Sequence, residues 1–280
     1  TPCGTLFPYT TLFRSSLALQ LNKAKGRSFE DANLNLSDIS AVFDGLPIAG
    51  SLNIKGFKNP NINLALDGTV NLSALFPYIR EDGLSSLSGK IHFSSLHLAG
   101  PLKDLGNPGA GTIESSGMIL GEKIKAVHLD IPYRLPFVDL SFDGKKVQVD
   151  SLRFEIPGSE LDFVGTIENL GPYLAQLSGK SPMDKHNLWL NGKLHAEELD
   201  IRKIANTFDV SSEQQNKEQT EAKDQLRRIF NLQGNIALKL DLLAFDSMQF
   251  NDISGSMTLQ KGRIEYDPFT FTAMNGSVTA

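Results

Sequence analysis

The chain of 280 residues has a single cysteine, Cys3, so it contains no internal disulfide and no cysteine-based metal site. No stretch approaches the roughly 18 uninterrupted apolar residues of a membrane-crossing helix, and no basic start with an apolar middle marks a secretory signal. Neither sign of charge dominates. With a formal net charge of -5, 21% charged and 40% hydrophobic residues, the composition is that of a globular chain able to bury a core, and nucleic acid is not an expected partner.

Catalytic motifs are equally scarce. There is no Gly-x-Ser-x-Gly elbow to present a nucleophile. Gly109-Ala110-Gly111 lacks both the third glycine and the βαβ context of a dinucleotide loop, and reads as a turn. Of the five histidines, His92 and His97 fall on opposite faces if one strand continues through them, and His128, His186 and His195 have no second ligand at chelating spacing. No metal and no cofactor is expected. Carboxylates such as Asp67, Asp130, Asp139, Asp162 and Asp241 are scattered over turns and wet strand faces. A glycosidase pair needs no sequence proximity and could still meet in space, but the residues nominate no catalytic group, and the expectation is a non-enzymatic protein.

What the chain does have is alternation. Ile236, Leu238, Leu240 and Leu242 alternate with Ala237, Lys239 and Asp241, the period of a strand with one apolar and one wet face. Met257 and Leu259 begin a second strand, Lys261-Gly262 supplies a tight turn, and Ile264 and Tyr266 return on a third. A motif of apolar residue, any residue, Gly, polar residue, apolar residue recurs through the chain. It is seen at Ile48-x-Gly50-Ser51-Leu52, Leu66-x-Gly68-Thr69-Val70, Leu87-x-Gly89-Lys90-Ile91, Phe163-x-Gly165-Thr166-Ile167, Leu190-x-Gly192-Lys193-Leu194, Leu232-x-Gly234-Asn235-Ile236, Ile253-x-Gly255-Ser256-Met257 and Met274-x-Gly276-Ser277-Val278. Residues two apart share a strand face, so each glycine leaves a gap in an apolar row where the sheet can bend or another strand approach closely. The same glycines could simply mark strand starts after turns.

Other punctuation fits short strands. Asp143-Gly144-Lys145-Lys146 reads as a hairpin turn and Gly106 to Gly111 as a loop. Leu72 to Asp82 reads as a short helical or irregular break. Gly68-Thr69-Val70 leads to Pro77-Tyr78-Ile79, and Gly165-Thr166-Ile167 leads to Pro172-Tyr173-Leu174, a duplication that suggests related structural layers. Leu199, Ile201, Ile204, Ala205 and Phe208 have the spacing of a short amphipathic helix. Residues 211–225, apolar only at Ala222, read as a solvated loop or linker. TLFPYTTLFRS at 5–15 resembles a translated DNA-sequencing adapter, so residues 1–15 are expected to be non-native and the natural chain to extend beyond both ends of this fragment. The expected organisation is thus 1–15 adapter, 16–210 repeated strands, 211–225 loop or linker and 226–280 a truncated C-terminal meander.

The stretch QFNDISGSMTLQKGRIEYDPFTFTAMNGSVTA at 249–280, preceded by Gly234-Asn235-Ile236 and the strand through Leu242, resembles the C-terminal region of the AsmA family of bacterial envelope proteins, relatives of TamB, in its Bacteroidetes form. Gly255, Gly262 and Gly276 carry the resemblance, which covers residues 226–280 well and 34–208 by repeat style. It implies a folded-over β trough, a periplasmic location, an inner-membrane anchor in the missing N-terminal part, and a role in outer-membrane biogenesis and phospholipid traffic between membranes. The family has no catalytic motif to carry over.

The expected fold is mainly β: an elongated, curved, mostly antiparallel sheet of repeated strands with a few short helices. An acyl chain of about 16 carbons loses roughly 0.8 kcal/mol for each CH₂ left in water, so carrying it needs a continuous apolar lining. Candidate lining residues are Leu64, Leu66, Val70 and Leu72; Leu161, Phe163 and Ile167; Leu188, Leu190 and Leu194; Ile236, Leu238 and Leu240; and Met257, Leu259 and Ile264. Phospholipid or another membrane lipid is the expected partner, with envelope proteins as further ones. The same rows would equally fill the closed core of a scaffolding protein, and the assembled sheet decides between the two.

Overall fold

The computed structural model describes residues 13–20, 32–79, 83–105, 112–128, 131–177, 187–200, 202–203, 232–245, 248–260, 263–273 and 276–279. The strands are β1 (Phe13–Gln20), β2 (Asn33–Phe43), β3 (Leu46–Lys55), β4 (Asn61–Asn71), β5 (Leu84–Pro101), β6 (Glu114–His128), β7 (Ile131–Asp143) and β8 (Lys146–Ile156). They continue with β9 (Ser159–Glu168), β10 (Leu188–Asp200), β11 (Leu232–Phe245), β12 (Met248–Gln260), β13 (Arg263–Tyr266), β14 (Thr270–Ala273) and β15 (Gly276–Thr279). Two helices interrupt them, α1 (Leu72–Leu75), extended by a 3₁₀ turn at Phe76–Tyr78, and α2 (Leu170–Leu177).

All the strands belong to one sheet, ordered as in the sequence from β1 to β12 and then β14 and β15, with β13 also hydrogen-bonded to β12. The two ends of that order do not pair with each other, so the sheet is open. With neighbours about 4.8 Å apart, the path from β1 to β15 runs about 60 Å. Each strand packs substantially only on its immediate neighbours, and no second sheet covers it among the described residues. The related segments lie in one sheet, each strand beside its neighbour in sequence.

The repeated glycines do what their position implies. Gly165 and Gly192 are register partners across β9 and β10. A Cβ on Gly165 would meet Asn191 O and lie 2.6 Å from Gly192 Cα, and one on Gly192 would meet Val164 O. A Cβ in a flat sheet projects away from its neighbours, so these collisions mark where the sheet bends sharply and only glycine fits.

Turns and helices follow the local chemistry. Gly144, at φ +60, closes the hairpin between β7 and β8. The Pro-Tyr segments both become short helical turns after a strand, Pro77 near the start of the 3₁₀ turn and Pro172 in the first turn of α2, where a missing N–H costs nothing. Two expectations are corrected. Leu199 lies in β10 opposite Ser159 rather than in a helix, the rest of that helix at 201 and 204–208 being outside the described residues. His92 and His97 share one face, because Ser95 adopts φ +51 in a bulge that shifts the register and reverses the alternation between them. They bond to Thr69 (2.9 Å) and Asn63 (3.1 Å), and no cluster of three potential metal ligands occurs among the described residues.

One joint is parallel. β10 and β11 run in the same direction from Leu188↔Leu232 to Asp200↔Ala244. The polar loop 211–225, the loop at 106–111 and the Lys261-Gly262 turn lie outside the described residues. β1 begins at Phe13, inside the adapter-like stretch, and pairs Phe13 with Ala41.

Candidate functional site

The register joins the apolar faces of the strands into rows that cross most of the sheet. One runs Ala41, Ile48, Gly68, Phe93, Ile119, Leu140, Val149, Gly165, Gly192, Ile236 and Met257, from β2 to β12 without a polar side chain. Beside it runs Val70, Ile91, Gly121, Val138, Leu152, Phe163, Leu194, Leu238 and Gly255. Bulges with positive φ at Asp38, Ser95, Lys123 and Asp252 take up the residues that would otherwise throw a strand out of phase. One-residue slips would turn a strand's apolar set to the wet side, so the bulges keep the apolar face continuous.

The sequence-nominated residues fall on this face with two departures. Leu64, Leu66 and Val70 lie on β4; Leu161, Phe163 and Ile167 on β9; Leu188, Leu190 and Leu194 on β10; Ile236, Leu238 and Leu240 on β11; and Met257 and Leu259 on β12. Leu72 leaves the β4 row to begin α1, where it is buried. Ile264 pairs with Leu259 at the margin of the sheet and is 44% exposed. Leu64, Leu66, Val70, Leu161, Ile167, Leu190, Leu194, Leu238 and Met257 are half-buried. A filled core would close over them. Among the described residues they are shielded by neighbours within the layer, and no second layer covers them.

The face is tightest at its C-terminal end. Ala196, Leu240 and Ile253 form a buried cluster, with Leu161, Leu238, Phe250, Phe269 and Phe271 against it. Phe250 and Phe271 meet edge to face at 5.5 Å. Phe269 reaches into the gap left by Gly255: a Cβ there would lie 2.7 Å from its Cε1. Asp267-Pro268 breaks the edge strand between β13 and β14 and makes this inward fold possible.

The opposite face carries the charges. Arg153 grips Asp162 with two hydrogen bonds of 2.8 and 3.1 Å and lies 3.2 Å from Glu160, and the Asp162 contact raises the guanidinium pKa further. His195 stands between two carboxylates, Nδ1 at 3.9 Å from Asp162 and Nε2 at 3.0 Å from Asp241. Lys239 lies 3.0 Å from Asp241, and the bonds from Lys239 and His195 hold that carboxyl below its usual range. These groups satisfy one another across β8, β9, β10 and β11, bracing the parallel joint.

No family model matches the chain, and no curated protein or solved structure matches it. Among the described residues no helix is long and apolar enough to cross a membrane.

Proposed function

We propose that the apolar face is a lipid-binding trough and that the chain is the AsmA-type module of a periplasmic envelope protein, anchored to the inner membrane in its full-length form. In this reading the protein holds or conducts phospholipid between the two membranes and supports outer-membrane biogenesis without catalysing a reaction. The observation that carries it is the unbroken row from Ala41 to Met257, half-covered along most of its length. Burying about 16 methylenes along such a row recovers on the order of 10 kcal/mol, enough to keep an acyl chain out of water.

The buried cluster around Leu240 favours a second reading, a scaffold whose apolar rows serve as core and whose wet face binds protein partners. Native mass spectrometry of the chain purified from a bacterial periplasm, followed by lipid extraction, separates the two. Phospholipid at a defined stoichiometry supports the trough. A folded, lipid-free chain supports the scaffold.

A further inference from the structure

We infer that the wet face carries a second site, a shallow groove across β10, β11 and β12 that binds an uncharged oligosaccharide. The groove has a volume of about 420 Å³ and is lined by Trp189, Gln233, Asn235, Thr258 and Gln260, with Gly234 and Leu259 between them. Trp189 and Leu190 are adjacent on one strand and so face opposite ways. The polar side chains of the groove therefore lie on the face opposite the trough, with the trough residue Leu259 bordering the groove between them, and this site stands whether or not the trough carries lipid.

Its chemistry is that of sugar recognition. Trp189, the chain's single tryptophan, is 41% exposed on the wet face, beside Gln233 and opposite Glu168, which leaves part of a flat apolar ring open to solvent. Such a ring stacks against the C–H face of a pyranose. Register places Gln233 directly beside it, and Asn235 follows two residues along the same face. Each amide offers two donors and one acceptor, a match for neighbouring hydroxyl groups. Asn235 is held in place: its Oδ1 accepts a 2.9 Å hydrogen bond from Thr258 Oγ1, and its backbone N–H donates to Asn191 Oδ1 at 3.1 Å. These bonds leave its side-chain N–H₂ for a ligand.

Among the described residues the lining contains no ionisable side chain, which suits a neutral ligand and gives a phosphate or a carboxylate no counter-charge. Among the described residues, bordering charges include Glu168, opposite Trp189, and Arg263 with Glu265, which pair with each other at 3.0 Å. An acyl chain has no reason to leave the apolar face for this one.

The test is titration of the 280-residue chain with N-acetylchitotetraose and with maltotetraose, following tryptophan emission, which reports Trp189 alone. A saturable change with at least one of them, at a dissociation constant of about 0.1–1 mM, is expected. Asn235→Ala, an exposed change that keeps the fluorophore, should weaken binding at least tenfold, and Trp189→Ala should abolish the heat of binding in calorimetry. No emission change with either sugar at about 10 mM, or binding that survives both substitutions, overturns the proposal. Should Trp189→Ala fail to fold, Asn235→Ala alone decides.

Discussion

Gly165 and Gly192 stand opposite each other on β9 and β10, and each occupies space that a side chain on the other would fill. A methyl at Gly165 would press on the Gly192 backbone at 2.6 Å, where the obstacle is main chain and cannot swing aside. Gly165→Ala should therefore lower stability by about 1–3 kcal/mol, the usual cost of overpacking. Urea unfolding followed by far-UV dichroism reads this as a lower midpoint at unchanged slope. An unaltered midpoint would show that the sheet can flatten here.

Alternation gives a parity test of the trough. Leu238 lies on the apolar face, and Ala237, its neighbour in sequence, is exposed on the wet one. Leu238→Asp places a charge among Leu194, Gly255 and the cluster around Leu240, so lipid recovered per folded chain should fall several-fold. Ala237→Asp adds the same charge one residue away and should leave lipid occupancy unchanged. Equal losses from both, in folded protein, would remove Leu238 from the lining.

Phe269 and Gly255 make a coupled pair. Gly255→Ala should cost about 1–3 kcal/mol because its methyl meets the ring. Phe269→Ala should lose about 3 kcal/mol or less, since the ring is only half-buried. In the double variant the clash is gone, so the two losses should fall short of additivity by about 0.5–3 kcal/mol, measured by thermal or urea unfolding.

The strands were legible because each carries its apolar residues on one parity, as in Ile62, Leu64 and Leu66 or Ile236, Leu238 and Leu240. The glycine gaps were legible for the same reason, falling on that parity at Gly165 and Gly192. Bulges were not, because nothing in Ser94-Ser95 announces a positive φ and Asn251-Asp252 permits one without requiring it, and a missed bulge put His92 and His97 on the wrong sides. The parallel joint at β10 and β11 left only one trace, a connection long enough to carry the chain back along the sheet. The charged cluster on the wet face joins residues as far apart in the chain as Arg153 and Asp241, and comes together only through the register. Trp189 and Asn235 are likewise brought together only by the parallel pairing.

Asp252 tests the bulges directly. It sits at φ +53, a conformation that costs most side chains roughly 1–2 kcal/mol but that Asp tolerates and Gly adopts freely. Asp252→Gly should leave stability unchanged or raise it by less than about 1 kcal/mol, and Asp252→Val should lower it by roughly 1–2 kcal/mol. The residue is exposed, so lost packing contributes little to either value. Equal melting temperatures for the two variants would mean that the bulge relaxes.

The carboxyl of Asp241 predicts a dependence on pH. Hydrogen bonds from Lys239 first, and from His195 next, hold its pKa below the ordinary aspartate range. A depressed carboxyl contributes stability at pH values above its unfolded pKa of about 4, and that contribution disappears as the pH falls through the lower folded value. Asp241→Asn removes the charge at every pH. The melting-temperature difference between wild type and Asp241→Asn should therefore be largest at about pH 5–6 and shrink steadily below about pH 4. The site is solvent-exposed, so about 1 M salt should reduce the difference at pH 6 as well. A difference that persists undiminished at about pH 2 would mean that the substitution acts through lost packing or altered hydrogen bonding, and that the Lys239–Asp241–His195 contacts do not brace the parallel joint by charge.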